Sequence, residues 1–280
     1  MDKEYKQFDP VGFVKDVSDG FSIMVCAQRR QGKTVLITDW VAKMQKHRKW
    51  KEVYLFSETA LSQTDAYLFV PTQNKFETLD LKKINEIFST QKKHRKYYDL
   101  QKEDVHRVLI IADDVINDPA ARDKGTFTKL FTQGRHYRID VIAISQTLKG
   151  FSPTARTNSD LMVCWRCLKY DDRDCIINDF LMIEDGKKSE VKKNACELLN
   201  VISREKYRAI VIEIHKSGYA EGTPEYVRYY KANNKLQPKM IGKDTVGQAH
   251  INEKVKSTND KGKDIELNLR FKIKKSNIRF

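Results

Sequence analysis

The sequence predicts an α/β fold, and three observations carry that prediction. Apolar runs of strand length alternate with stretches of helical periodicity, the pattern of a mostly parallel sheet with crossover helices. A Gly-Lys-Thr turn, Gly32 to Thr34, lies between the first such run and the first helical stretch. The 280 residues, 40% hydrophobic and 32% charged, are enough to bury a substantial core without metal or disulfide staples.

The elements follow in order. Phe21 to Cys26 reads as the first strand, and Lys33 to His47 as a helix with Leu36, Trp40, Val41 and Met44 along one face. Lysines and arginines gather at that helix's C-terminal end, where they complement its dipole. Lys51 to Phe56 is a second strand, followed by a loop from Ser57 to Asn74 and an amphipathic helix from Leu79 to about Tyr98. Arg107 to Ala112, Ile139 to Ser145 and Leu161 to Cys167 are the third, fourth and fifth strands. Helical segments at Asp171 to Met182 and Val191 to Asn200 precede a strand from Tyr207 to His215, with which Glu225 to Tyr230 can pair.

Beyond residue 230 the composition turns to Lys, Asn, Gly and Gln, so the chain divides into a domain over 1–230 and a basic linker and extension over 231–280. Ile265, Leu267, Leu269, Phe271 and Ile273 alternate with polar neighbours there, the pattern of a terminal strand that docks on its own domain or on another subunit.

Several classes are excluded. Apolar runs such as Val108 to Ala112 fall far short of the ~20 residues needed to cross a bilayer, and Met1 to Phe8 lacks the apolar core of a secretory signal. A cytosolic protein is expected. The five cysteines, Cys26, Cys164, Cys167, Cys175 and Cys196, show no secreted framework, so reduced thiols are expected. Cys164 and Cys167 form a C-x-x-C inside a buried strand, with no matched second pair to complete a zinc site.

The net charge is +14, of which +8 falls in the last fifty residues. Such an excess favours polyanionic partners, nucleic acid first, because Lys and Arg displace counterions from phosphates. Solubility alone would also account for it. The run Gln91 to Tyr98, rich in Lys, Arg and His, reads first as a solvated helix face and second as a DNA-tracking stripe.

The chemistry concentrates in three segments. Ala27-Gln28-Arg29-Arg30-Gln31-Gly32-Lys33-Thr34, continuing into Val35, has the form of a Walker A loop. Successive backbone amides and a helix N-terminus would cradle a triphosphate, Lys33 would reach its outer phosphates, and the Thr34 hydroxyl would hold Mg²⁺. Alanine stands at 27 where the first glycine is usual, the smallest change compatible with a tight turn.

Val108 to Ala112 followed by Asp113 and Asp114 is the corresponding acidic strand end, a Walker B pattern. Asp113 is assigned to the Mg²⁺ shell and Asp114 to the attacking water, with Glu58 a weaker candidate for the base. The alternative, in which paired aspartates only cap a helix, suits Asp118-Pro119 better. Gln146 follows the fourth strand and would stand beside the γ-phosphate if that strand lies between the other two. Arg156 and Arg135 are candidates to act on a neighbouring subunit's nucleotide, in that order.

Together with Gly-Arg-His at 134–136, Ile-Ser-Gln at 144–146 and Arg-Thr-Asn at 156–158, these motifs resemble the genome-packaging ATPases of large nucleo-cytoplasmic DNA viruses and virophages, poxvirus-type among them, within the FtsK–HerA superfamily. The resemblance spans about residues 8 to 215. It implies a P-loop NTPase of the additional-strand, catalytic-acid type with strand order 5-1-4-3-2, and ATP and Mg²⁺ as ligands. It also implies a homo-oligomeric ring that moves double-stranded DNA into a capsid, a capsid or portal-vertex partner, and a place in the host cytoplasm, at the viral factory or with the virion. Two other readings stay open at this point: a replication helicase acting on single strands, and a basic DNA or capsid adaptor that uses nucleotide only as a switch.

Overall fold

Five parallel strands set the architecture of the computed structural model, which describes residues 5–62, 66–101, 106–115, 125–166, 169–181, 187–214, 216, 219–220 and 223–244. They are β1 (Ser22–Cys26), β2 (Glu52–Ser57), β4 (Val108–Asp113), β5 (Ile139–Ser145) and β6 (Leu161–Cys164). Across the sheet they run β6-β1-β5-β4-β2. Counted as first to fifth along the chain, this is the order 5-1-4-3-2.

The register places Cys26 beside Ser145 and Cys164, and Asp113 beside Ile144 and Ser57. All five strands therefore deliver their C-terminal ends to one edge. The short β3 (Lys75–Phe76) extends one side in parallel. On the other side β7 (Arg208–Glu213) pairs antiparallel with β6, and β10 (Val227–Lys231) antiparallel with β7. A two-residue pair, β8 (Tyr219–Ala220) and β9 (Thr223–Pro224), forms the turn between them. Gln7 bridges Tyr229, so the N-terminal segment covers the outer edge that β10 would otherwise expose.

Both faces of the sheet are buried, which is why its strands read as near-continuous apolar runs. Ile23 and Val25 of β1 face a core shared with α2 (Lys33–Arg48) and α1 (Pro10–Asp16), where Trp40, Val41 and Met44 are fully buried. Met24 and Cys26 face the opposite core, closed by α3 (Leu81–Gln101), α4 (Thr126–Thr132) and α7 (Lys188–Ile202) through Ile84, Phe127, Phe131 and Leu199. The result is a three-layer αβα arrangement. The single apolar face expected on α2 is broader in the structure, taking in Thr38, Asp39 and Arg48, because α1 and β10 pack across it.

Three features differ from the sequence reading. The helix α1 was not expected, yet Asp9 caps it and Pro10 occupies its first turn. After α5 (Pro153–Thr157) and β6, the helix α6 (Tyr170–Ile176) passes into a π-helical turn over Ile177–Leu181. The residues read as the start of a linker pack on the domain instead: Ile241 is buried and donates its backbone N–H to Phe69, and the Asp244 carboxylate accepts from Thr72. The buried Ile241, the Asp244 carboxylate and the Lys243 carbonyl, which accepts from Gln73, hold that strap, a signal too sparse for composition to register. Cys167, Asp118-Pro119 and the alternating segment 265–273 lie outside the described residues.

Candidate nucleotide site at the sheet edge

The loop from Ala27 to Gly32 leaves β1 at the C-terminal edge and feeds directly into α2. The Ala27 N–H donates to the Ser145 carbonyl at 3.0 Å, extending the β1–β5 pairing by one bond. Ala27 is absent from the positive-φ residues, so glycine is not needed there and the methyl costs nothing. Arg30 (φ 64°) and Gly32 (φ 91°) both adopt left-handed backbone. Such alternation turns successive amides inward and forms a concavity for an anion.

Gly32 is the N-cap of the 16-residue α2 and supplies no side-chain cap. The first amides of the helix are thereby left to an external acceptor, with the positive end of the dipole behind them. Gln28 and Gln31 are half-buried in the loop wall, Arg29 and Arg30 are exposed, and Val35 is exposed on the first turn of α2. Tyr207, also exposed and left-handed at φ 64°, lies against Gly32.

Around Lys33 the acidic residues converge. Its ammonium lies 3.7 Å from Asp114 Oδ2. Gln146, reached from the end of β5, donates its Nε2–H to the same oxygen at 2.5 Å. Because β5 lies between β1 and β4, Gln146 stands between the loop and the aspartates, as its condition required. Asp114 takes a left-handed turn at φ 59° immediately after β4, a conformation aspartate tolerates better than most residues, and its N–H donates to Ile144 at 3.0 Å.

Asp113 is set deeper. Its Oδ2 accepts from the Tyr67 hydroxyl at 2.8 Å. Burial raises the Asp113 carboxyl above its ordinary value; the Tyr67 hydrogen bond and Lys33 pull it down, and Asp114 pushes it up. Burial also holds the Tyr67 hydroxyl well above its ordinary value, with the Asp113 charge adding to the effect, so the phenol stays protonated. Tyr67 is the site residue that sequence reasoning missed. It sits in the segment read only as a loop, and nothing in its local sequence separates it from other loop tyrosines. The bulky side chain stands on left-handed backbone at φ 54°, a strain of about 1–3 kcal/mol that the packing around it must hold.

The remaining candidates lie apart from this cluster. Glu58 is exposed in the turn after β2. Arg156, on α5, is held inside its own chain: its Nε donates to Asp179 Oδ2 at 2.6 Å and its guanidinium also donates to the Phe151 carbonyl. Arg135 is exposed and precedes β5, at the N-terminal edge of the sheet. A seven-residue strand separates it from the loop, roughly 20 Å at ~3.3 Å per residue, so it serves no part of its own chain's site.

The donor set fits a hydrated hard cation together with a polyphosphate. Thr34 and Asp113 offer one hydroxyl and one carboxylate, the small protein share that Mg²⁺ takes when phosphate oxygens and waters complete its shell. Among the described residues no group of three His, Cys, Asp or Glu gathers as a self-sufficient metal cage. No helix among them is long and apolar enough to cross a membrane.

Comparison with known proteins agrees with this fold. The family described as Poxvirus A32 protein matches residues 12–255. The genome packaging NTPase B204 from Sulfolobus turreted icosahedral virus 2 in complex with AMPPCP superposes with a TM-score of 0.52 at 11% identity, covering 81% of this chain and 100% of that one. Its complex with sulfate gives 0.52 at 12% identity, covering 77% and 98%. EssC (ATPases 2 and 3) from Geobacillus thermodenitrificans gives 0.50 at 13% identity, covering 78% of this chain and 40% of that one. At these identities the likeness establishes a shared P-loop fold. No curated protein matches the chain.

Proposed function

The chain belongs to the Poxvirus A32 protein family, and from that premise we propose that it is a viral genome-packaging ATPase, which hydrolyses ATP to drive double-stranded DNA into a capsid. The observation that carries this reading is the convergence of Lys33, Asp114, Gln146 and Asp113 at one sheet edge, although three separate strands deliver them. A strand order that brought the loop and the acidic pair to opposite edges would have left no hydrolytic site.

Each residue then has a task. The amides at the start of α2 and the Lys33 ammonium bind and orient the triphosphate. Lys33 exchanges its contact with Asp114 for phosphate oxygens, which leaves the Asp114 carboxylate, 40% exposed, turned to water. Asp114 accepts the proton of the attacking water as the bond from γ-phosphorus to the bridging oxygen breaks, giving ADP and phosphate. Gln146, through its hydrogen bond to Asp114, keeps that carboxylate aimed. Thr34 and Asp113 would hold Mg²⁺, which when bound would neutralise charge on the phosphates.

The assembly we propose is a homo-oligomeric ring, acting in the infected host cell and docked on a capsid or portal-vertex protein. Arg135, remote from its own site and exposed, would be the one to serve a neighbour, whereas Arg156 must first leave Asp179. The charge of +14 suits a surface that follows phosphates. The test is ATP turnover with and without duplex DNA, with imaging of the assembled particle. Stimulation by duplex and a ring with a central channel are expected; unstimulated turnover by a monomer would refute the motor.

A further inference from the structure

We propose that Tyr207 is the platform on which the base of the nucleotide stacks. The inference rests on the nucleotide-site reading above and adds to it a residue outside both phosphate-binding motifs, immediately before β7.

Topology gives the direction in which the nucleotide must run. Lys33, Asp114 and Gln146 gather on the β5 and β4 flank of the loop, so the outer phosphate belongs there. The rest of the molecule leaves the start of α2 on the other flank, where β6 and then β7 follow β1. Because β7 runs antiparallel to β6, its first residues reach the same edge as the loop. Tyr207 stands there, and a carbon placed on Gly32, the N-cap of α2, would meet its ring at 3.7 Å.

Packing does not account for a tyrosine at this position. The Arg208 N–H closes a turn on the Glu205 carbonyl, and Tyr207 occupies the third place of that turn at φ 64°. Glycine or asparagine suits such backbone, and a bulky aromatic is strained on it. Tyr67 carries the same strain but is buried among its neighbours, whereas among the described residues Tyr207 is 49% exposed and stands outside both cores. Strain of this kind gathers at ligand-binding sites. The turn itself is firmly placed: Glu205 pairs with Lys231 of β10, and the Arg208 guanidinium lies 3.8 Å from the centre of the Tyr229 ring. The Lys206 ammonium lies over one face of the Tyr207 ring, 4.9 Å from its centre, and the half-exposed side chain keeps surface on which a base can stack.

The test uses Tyr207→Asn, which removes the ring and relieves the left-handed backbone, and Tyr207→Phe, which keeps the ring. ADP and inorganic tripolyphosphate, a ligand without a base, are titrated calorimetrically into each full-length protein with Mg²⁺, and melting temperatures are recorded without ligand. In Tyr207→Asn, ADP affinity is expected to fall about tenfold while tripolyphosphate affinity stays within about twofold and the melting temperature holds or rises. Tyr207→Phe is expected to bind ADP as the unaltered protein does. Unchanged ADP affinity in Tyr207→Asn, or equal losses for the two ligands, would overturn the platform. Lys33→Ala, measured alongside, separates the two readings: loss of both ligands there upholds the phosphate site whatever Tyr207 does, and retention of both means the nucleotide site itself is misassigned.

Discussion

The two edges of the parallel sheet present aspartates in opposite circumstances. At the start of β5, Asp140 is fully buried and accepts four donors: two from the Arg48 guanidinium at 2.7 Å each, Trp50 Nε1–H at 2.7 Å and the Phe21 N–H at 2.9 Å. Past the end of the neighbouring β4, Asp114 is 40% exposed and shares one oxygen between Gln146 and a lysine at 3.7 Å. Both are carboxylates beside cations on one sheet. The first is complete and leaves nothing for a ligand to do, while the second is held by partners that a phosphate can displace. Completeness of the hydrogen bonding, more than charge or position, separates the carboxylate that builds the fold from the one to which we assign the chemistry.

The sharpest way to break that contrast is Asp140→Ala. It leaves the Arg48 charge buried without its counterion, a loss of about 3–5 kcal/mol that thermal unfolding will register as a large fall in melting temperature. A melting temperature close to that of the unaltered protein would mean the N-terminal edge is no more committed than the catalytic one.

A smaller effect comes from His106, at the N-terminal end of β4. Its ring stacks on His94 of α3, its Nδ1 meets Gln91 of α3 at 2.8 Å, and it faces Glu52 of β2, with Lys51 close by. Burial, then His94, lowers its affinity for a proton; Glu52 works against this and Lys51 with it. Below the ordinary value of 6.5 the unfolded chain therefore binds more protons than the folded one, and stability falls as pH falls. The melting temperature is expected to drop between pH 7 and pH 5, and to drop less in His106→Gln. Parallel profiles for the two proteins would remove His106 from the account.

Much of this was legible in the sequence because the phosphate loop and the acidic strand end each demand particular residues at fixed spacing. Gly32-Lys33-Thr34 and Asp113-Asp114 needed no structure to be found. Their meeting did need one: Lys33 and Asp114 are brought together only by the strand order, which the family resemblance implied and periodicity alone did not. Tyr67 was illegible for a related reason, since a hydrogen bond to Asp113 reached from an irregular loop leaves no period behind. The helix α1 was different. Asp9-Pro10 is a start signal of the usual kind and could have been read.

The central claim is that the edge holding Asp114 hydrolyses ATP and does not merely bind it. The most direct measurement is ATP turnover by Asp114→Asn with duplex DNA present, beside its melting temperature and nucleotide affinity. The expected result is a loss of at least about 10²-fold in turnover, the share of a positioned base, with melting temperature and binding retained. Turnover within twofold of the unaltered protein would contradict it.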